Sequence, residues 1–148
     1  MAALSVTAAQ VLWVSGPIEK DAIAGEAFAA GAVVYKSATG TWLKAQCDGT
    51  AVEAGENDLG IALATADVAG ARVSVAVAGD SPGRGAVVNL GAGAAAAAGL
   101  IYGPGTTAGS LVPSADWGTT NKVTPCALGI GSNQVQVFRA YNAGSVRP

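Results

Sequence analysis

The sequence contains no histidine, and this absence excludes more chemistry than any other feature of its composition. Without histidine there is no Ser-His-Asp or Cys-His nucleophile, no imidazole general acid or base, and no histidine-ligated zinc. Two cysteines cannot build a zinc site of four thiolates. We therefore expect no enzyme, no catalytic residues, no metal site and no cofactor. An enzyme would have to work with carboxylates, lysine or tyrosine alone, and a hydrolase using two carboxylates is the example left open.

Charge is also scarce. Charged residues make up 12% of the chain, whereas an average soluble domain has about 25%. A monomer needs a solvated surface, so a chain this poor in charge is expected to cover much of its exterior with other protein. The net charge is -2 and the basic residues form no cluster, which argues against a nucleic-acid partner.

Long apolar runs and targeting signals are missing as well. The longest uncharged run, residues 85–115, is interrupted by the sequence GPGTT at 103–107, so no stretch of about 20 apolar residues can span a membrane. The first basic residue is Lys20, which leaves no basic start for a signal peptide. We expect a soluble protein that stays where it is made, and in a reducing cytosol Cys47 and Cys126 are predicted to be small buried side chains rather than a disulfide.

Small residues and valine dominate what is present. The chain has 33 alanines and 21 glycines, and its 17 valines outnumber leucine and isoleucine together, a bias that favours strands. Short apolar runs alternate with turn residues. Residues 33–36 and 41–45 flank SATG, which suits a hairpin, and residues 72–78 alternate with valine on one face. The pattern predicts an all-β fold, either a compact β-sandwich or a small β-barrel.

The sequence repeats itself weakly. Gly49-Thr50 is followed by the triplet LGI at 59–61, and the same pair at 118–119 is followed by LGI at 128–130, an offset of 69 positions. This predicts a single β domain over residues 18–148, built from two related β units at about 25–79 and 83–141. We expect their apolar faces to pack on each other.

The first 17 residues carry no charge and end in the turn signal Ser15-Gly16-Pro17. Uncharged, strand-prone N-terminal arms are candidates for pairing with the sheet edge of a neighbouring chain. The alternative is an ordinary first strand of the same domain. The candidate partner-binding residues of this arm are Leu4, Val6, Val11, Leu12, Trp13 and Val14.

Three tryptophans stand among only eight aromatic residues. Trp42, in the predicted hairpin, is expected in the core. Trp117, between Asp116 and Gly118 in a predicted loop, is expected at an interface, where tryptophan is enriched.

The order of several motifs resembles the head decoration, or capsid cement, proteins of tailed bacteriophages. In that pattern an Ala-Gly turn opens a strand, a hairpin follows, and Gly-Ile-Ala precedes a strand of alternating valines. The resemblance covers about residues 24–79 and returns more faintly over 91–144. The motifs are AGEAFAAGAVVY at 24–35, GTWLKA at 40–45, DG at 48–49, LGIA at 59–62 and VSVAVAG at 73–79.

The resemblance implies a structural virion protein that is synthesised in the host cytoplasm and lies on the outer surface of a phage head. Its partner would be the major capsid protein, and it would stabilise the assembled, expanded head as a homotrimer. The arm from Leu4 to Val14 would then add to a capsid sheet. The second copy of the unit departs from the pattern and leaves a dimer open. The alternative is an oligomeric, β-rich adhesin or fibre module that binds a host-surface glycan.

Overall fold

A computed structural model describes residues 3–50, 53, 58–78, 85–94, 96–117, 122–131, 133–138 and 145–146. The ends that we predict for the two units, at residues 79, 83 and 141, lie outside these ranges. The strands are β1 (Leu12–Ser15), β2 (Ile18–Ile23), β3 (Val33–Lys36), β4 (Trp42–Lys44), β5 (Leu59–Ala62), β6 (Arg72–Val77), β7 (Val87–Asn89), β8 (Ile101–Pro104), β9 (Leu111–Pro113), β10 (Lys122–Val123), β11 (Ala127–Gly131), β12 (Gln134–Val137) and β13 (Ser145–Val146).

The strands form two main antiparallel sheets that pack on each other. The five-stranded sheet has the order β2-β6-β5-β3-β4, and the six-stranded sheet has the order β1-β7-β12-β11-β8-β9. A separate pair joins β10 to β13. The prediction of an all-β sandwich is confirmed, and the barrel alternative is not adopted, because the chain forms two sheets rather than one closed sheet.

The two main sheets share one topology. Apart from β1, each strand of the six-stranded sheet has a counterpart at the same place in the five-stranded sheet: β7 corresponds to β2, β12 to β6, β11 to β5, β8 to β3 and β9 to β4. The turns correspond too. Gly31 and Gly99 precede β3 and β8 with φ of 88° and 84°, and Gly40 and Gly109 precede β4 and β9 with the same pair of values. These positive φ angles favour glycine, which explains why it recurs there.

Two apolar clusters lie on the two faces of the five-stranded sheet. The larger one fills the space between the sheets, where Val33 and Ile61 meet Val88 and Val135. The smaller one packs on the opposite face and includes Ala62. Strand β5 is therefore buried on both sides, which explains why its sequence is a continuous run of small and apolar residues without polar alternation.

The five-stranded sheet curls so strongly that its two edges meet. A parallel bridge joins Ala24, just after β2, to Trp42 on β4, and the Gly25 N–H donates to the Trp42 carbonyl at 2.7 Å. The Trp42 side chain fills the concave face and is completely buried, so its predicted place in the core is confirmed.

The N-terminal segment lies across the sandwich. The Leu4 N–H donates to the Leu111 carbonyl at 2.9 Å, and the Thr7 N–H donates to the Leu90 carbonyl at 3.4 Å. The chain then pairs as β1 with β7 at one edge of the six-stranded sheet. A turn at Gly16, with φ of 91°, carries it to β2 of the other sheet.

Helical structure is confined, among the described residues, to two three-residue 3-10 turns, Ala8–Gln10 and Ser114–Asp116. No helix in the described part of the chain is long and apolar enough to cross a membrane.

Candidate functional site

Charge is distributed unequally between the two sheets. The strands of the six-stranded sheet contain no charged residue at all. The strands of the five-stranded sheet contain six: Glu19, Lys20, Asp21, Lys36, Lys44 and Arg72. Among the described strands of the two main sheets, charge is therefore confined to the five-stranded sheet, and the strands of the six-stranded sheet present uncharged side chains.

Side-chain alternation identifies the residues of this outer surface. Ala86, Val88 and Leu90 are buried towards the other sheet, so Val87 and Asn89 between them face outwards. Strand pairing extends a row from Val87 across β12, β11 and β8. We call the outward-facing set the neutral face; its members are Leu12, Val87, Asn89, Ile101, Leu128, Gln134 and Gln136.

The aliphatic members of the neutral face are open to solvent to different degrees. Leu12, opposite Asn89, is 65% exposed, and Ile101, opposite Leu128, is 41% exposed. Val87 and Leu128 are half-buried. Leu100 and Ile130, next to this row, are also exposed large hydrophobic residues. Aliphatic and amide side chains thus alternate across the described strands of this sheet, and none of these strand residues is charged. Such a mixture of apolar and uncharged polar groups is found in protein-binding sites.

The far end of the same outer surface is covered by the chain itself. Gly103 faces outwards from β8, and a Cβ atom built on it would lie 2.6 Å from Cζ2 of Trp117 and 2.6 Å from the Thr124 carbonyl oxygen. Trp117 therefore packs against the backbone of β8 at Gly103 and is only 8% exposed. Its contact with a partner stays a prediction, and little of the ring is accessible for such a contact.

The other predicted site residues divide into two groups. Leu4, Val6 and Val11 are partly buried and pack against the larger apolar cluster of their own chain. Leu12, Trp13 and Val14 on β1 are exposed. Only Leu12 of this set belongs to the neutral face. Trp13 pairs with Val88 on the inner side, and Val14 lies at a bulge in the β1–β7 ladder.

Sequence reasoning missed Val87, Ile101 and Leu128, although a signal was present. Residues 85–115 are the longest run of the chain without a charged residue, and β7, β8 and β9 of the six-stranded sheet lie within it. The run excludes a membrane span because GPGTT interrupts it. Absence of charge on the polar side of alternating strands was the clue to an exposed neutral face.

The cysteines offer no reactive thiolate at neutral pH. Both are free and buried. Burial raises the pKa of Cys47, and the nearby Asp48 carboxylate raises it further. Burial alone raises the pKa of Cys126 to about 12. Because the thiolate is the nucleophile and metal ligand, both side chains are expected to be inert.

Among the surfaces of the described residues are a small concavity and an open groove. One, of about 200 Å³, is lined by Cys47, Thr106, Asp116 and Trp117, among others. The second is an open groove between the N-terminal segment and the loops at residues 28–32 and 108–111. Within the described ranges, no three His, Cys, Asp or Glu side chains come close enough together to hold a metal ion.

Comparisons of the chain with protein-family models, with curated proteins and with solved structures found no match.

Proposed function

We propose that the chain is a structural virion protein that binds the outer surface of a phage capsid and stabilises the assembled, expanded head. The neutral face is the observation that carries this proposal. A surface of aliphatic and amide side chains without charge supports a role in which the protein works by covering, and being covered by, another protein. The partner is the major capsid protein, and the place of the protein is the outside of the virion.

The binding free energy that such a face can supply suits a capsid cement protein. Complete burial of one leucine or isoleucine side chain contributes about 1.5–3 kcal/mol. Part of that gain is offset by the cost of association, so each copy binds modestly. Many copies on one lattice act together. Because the protein binds the assembled lattice and not the dissociated subunits, its binding energy is added to the stability of the head.

The uncharged character also affects specificity. A charged side chain on the neutral face would lose its hydration on binding and would need a partner of opposite sign. The amides of Asn89, Gln134 and Gln136 can instead donate or accept hydrogen bonds, so they tolerate either kind of group opposite them. A capsid surface that offers apolar side chains and free backbone groups fits this arrangement.

Co-sedimentation tests the proposal. Purified protein is mixed with expanded heads and, separately, with unexpanded precursor heads of the same phage, and the bound fraction is measured after pelleting. We expect saturable binding to expanded heads and a rise in the temperature at which those heads disrupt. Failure to bind heads, or binding to host-cell glycans instead, would overturn the proposal.

A matched pair of substitutions locates the contact. Ile101→Lys places a charge on the neutral face, and Ile23→Lys places the same charge on β2 of the other sheet. The two isoleucines are equally exposed, at 41% and 42%. We expect Ile101→Lys to weaken binding about tenfold or more, which is roughly 1.4 kcal/mol, and Ile23→Lys to bind like the wild type. Equal binding by both variants would exclude the neutral face as the contact.

A further inference from the structure

The two main sheets have four edge strands, and the chain itself closes three of them. An open edge exposes unpaired backbone groups and invites pairing with another chain. In the five-stranded sheet, β2 and β4 meet through the bridge between Ala24 and Trp42. Strand β2 also carries three successive charged residues, Glu19, Lys20 and Asp21, and Asp21 has a positive φ of 55°.

In the six-stranded sheet, the edge strand β9 is also closed by the chain itself. At one edge, β9 is covered by the N-terminal segment through the hydrogen bond from Leu4 to Leu111. It also ends in Pro113, which has no N–H to donate. Closure of this edge thus uses both a covering segment and a proline.

Strand β1, at the other edge, lacks these protections. Its residues include no charge and no proline. Its ladder partner is β7, and no described residue forms a further backbone hydrogen bond with it. All four of its residues are exposed, Leu12 most of all. The ladder with β7 shifts its register between Trp13 and Ser15, and all four residues of β1 remain in strand conformation.

We propose that the chain forms a two-fold symmetric dimer in which the β1 strands of two copies pair in antiparallel fashion. The partner of an open, uncharged edge must itself present an open, uncharged edge. Among the described strands of the main sheets, β1 is the one that does so, and a second copy therefore supplies the matching surface. Each copy contributes the same strand, so the contact is isologous.

The closed edges determine the size of the assembly. A ring or a filament built by strand pairing needs a second open edge on every copy, and here β2, β4 and β9 are closed. Pairing through β1 consumes the open edges of both copies and ends at two. The dimer joins the two six-stranded sheets into one continuous sheet and covers much of Trp13 and Val14. It also places two neutral faces side by side.

Sedimentation velocity tests the proposal on the intact protein. We expect a species with twice the 14.3 kDa mass of one chain. Near a two-fold axis, Val14→Lys brings two like charges together and should give a monomer. Val68→Lys is the matched control, because Val68 is also exposed, at 64% against 44% for Val14, and lies in a loop outside β1. We expect this control to remain dimeric.

Hydrogen exchange provides a second readout on the wild type. Amide protection over residues 12–15 should increase with protein concentration, whereas protection over β2 should not change. A wild-type monomer at about 100 µM, above the micromolar range of weak complexes, would overturn the proposal. A trimer, or a dimer that Val14→Lys leaves intact, would overturn it too. The experiment contains no capsid, so its outcome is separate from that of the proposed function.

Discussion

Trp42 on β4 donates its indole N–H to the carboxylate of Glu19 on β2, although these strands stand at opposite edges of the five-stranded sheet. The second carboxylate oxygen accepts from Lys36 Nζ at 2.8 Å, and that ammonium lies 5.7 Å from the centre of the Trp42 ring. One acidic side chain thus satisfies a buried donor and holds a cation over an aromatic face. This cluster stabilises the curvature of the five-stranded sheet, which brings its edge strands β2 and β4 together.

Replacing Glu19 is expected to destabilise the fold. Glu19→Ala leaves the indole N–H of buried Trp42 without its acceptor, which we expect to cost about 1–3 kcal/mol. Glu19→Gln keeps an acceptor oxygen and loses only the partly exposed ion pair with Lys36, worth about 1 kcal/mol or less. Urea unfolding followed by tryptophan fluorescence measures both. Equal stability of wild type and Glu19→Ala would contradict the assigned role.

A methyl group at Gly129 is expected to be costly. A Cβ atom there would lie 2.0 Å from the Ala97 carbonyl oxygen, a backbone atom that cannot move away alone. We expect Gly129→Ala to lower the free energy of unfolding by about 1–3 kcal/mol. Gly93→Ala is the control, since its nearest neighbour would be at 3.6 Å, an ordinary contact. Chemical denaturation of the two variants checks the difference, and similar losses would refute this account.

The packing of the N-terminal segment predicts a position-specific effect. Val6 contacts the larger apolar cluster and lies against Gly31, whereas its neighbour Ser5 is exposed. Val6→Asp buries a carboxylate and should destabilise the protein by about 1–3 kcal/mol, while Ser5→Asp should change stability by about 0.5 kcal/mol at most. Thermal unfolding compares them. A free arm would show no effect at either position.

The buried thiol of Cys126 predicts a loss of stability at alkaline pH. Its pKa is about 12 in the fold and ordinarily 9.0, so below pH 9 both states hold the proton and stability does not change. Between these values the unfolded chain releases the proton and the folded chain keeps it. Stability therefore falls as pH rises, by up to about 1.4 kcal/mol per pH unit.

The variant Cys126→Ala separates this effect from other titrations. Burial, followed by the charges of Glu53 and Glu26, also raises the pKa of Tyr35, so the wild type alone has more than one alkaline transition. The difference in unfolding free energy between wild type and Cys126→Ala, measured across this pH range, isolates the thiol. Parallel curves for the two proteins would show that Cys126 stays protonated in both states or ionises in both.

Local sequence patterns were sufficient to predict the fold class and part of the core. Alternating valines and glycine-rich turns predicted strands, because both features act over a few residues. The repeat of LGI predicted related β units, and the sheets share one strand order. Trp42 was assigned correctly because a large aromatic ring in a strand of a valine-rich chain has few alternatives to the core.

Tertiary structure decided which surfaces remain available. The uncharged first 17 residues are compatible with either a pairing arm or a first strand of the same domain, and within the described part the fold packs Leu4, Val6 and Val11 onto the core. Trp117 lies in a predicted loop, and its ring packs against Gly103 on β8, which leaves the side chain only 8% exposed. The neutral face and the open edge at β1, as the described strands define them, arise from strand order and from contacts between distant segments. Composition alone established that charge is scarce. The tertiary structure decided which strands share a sheet, and it thereby brought the charged strands into one main sheet and the uncharged strands into the other.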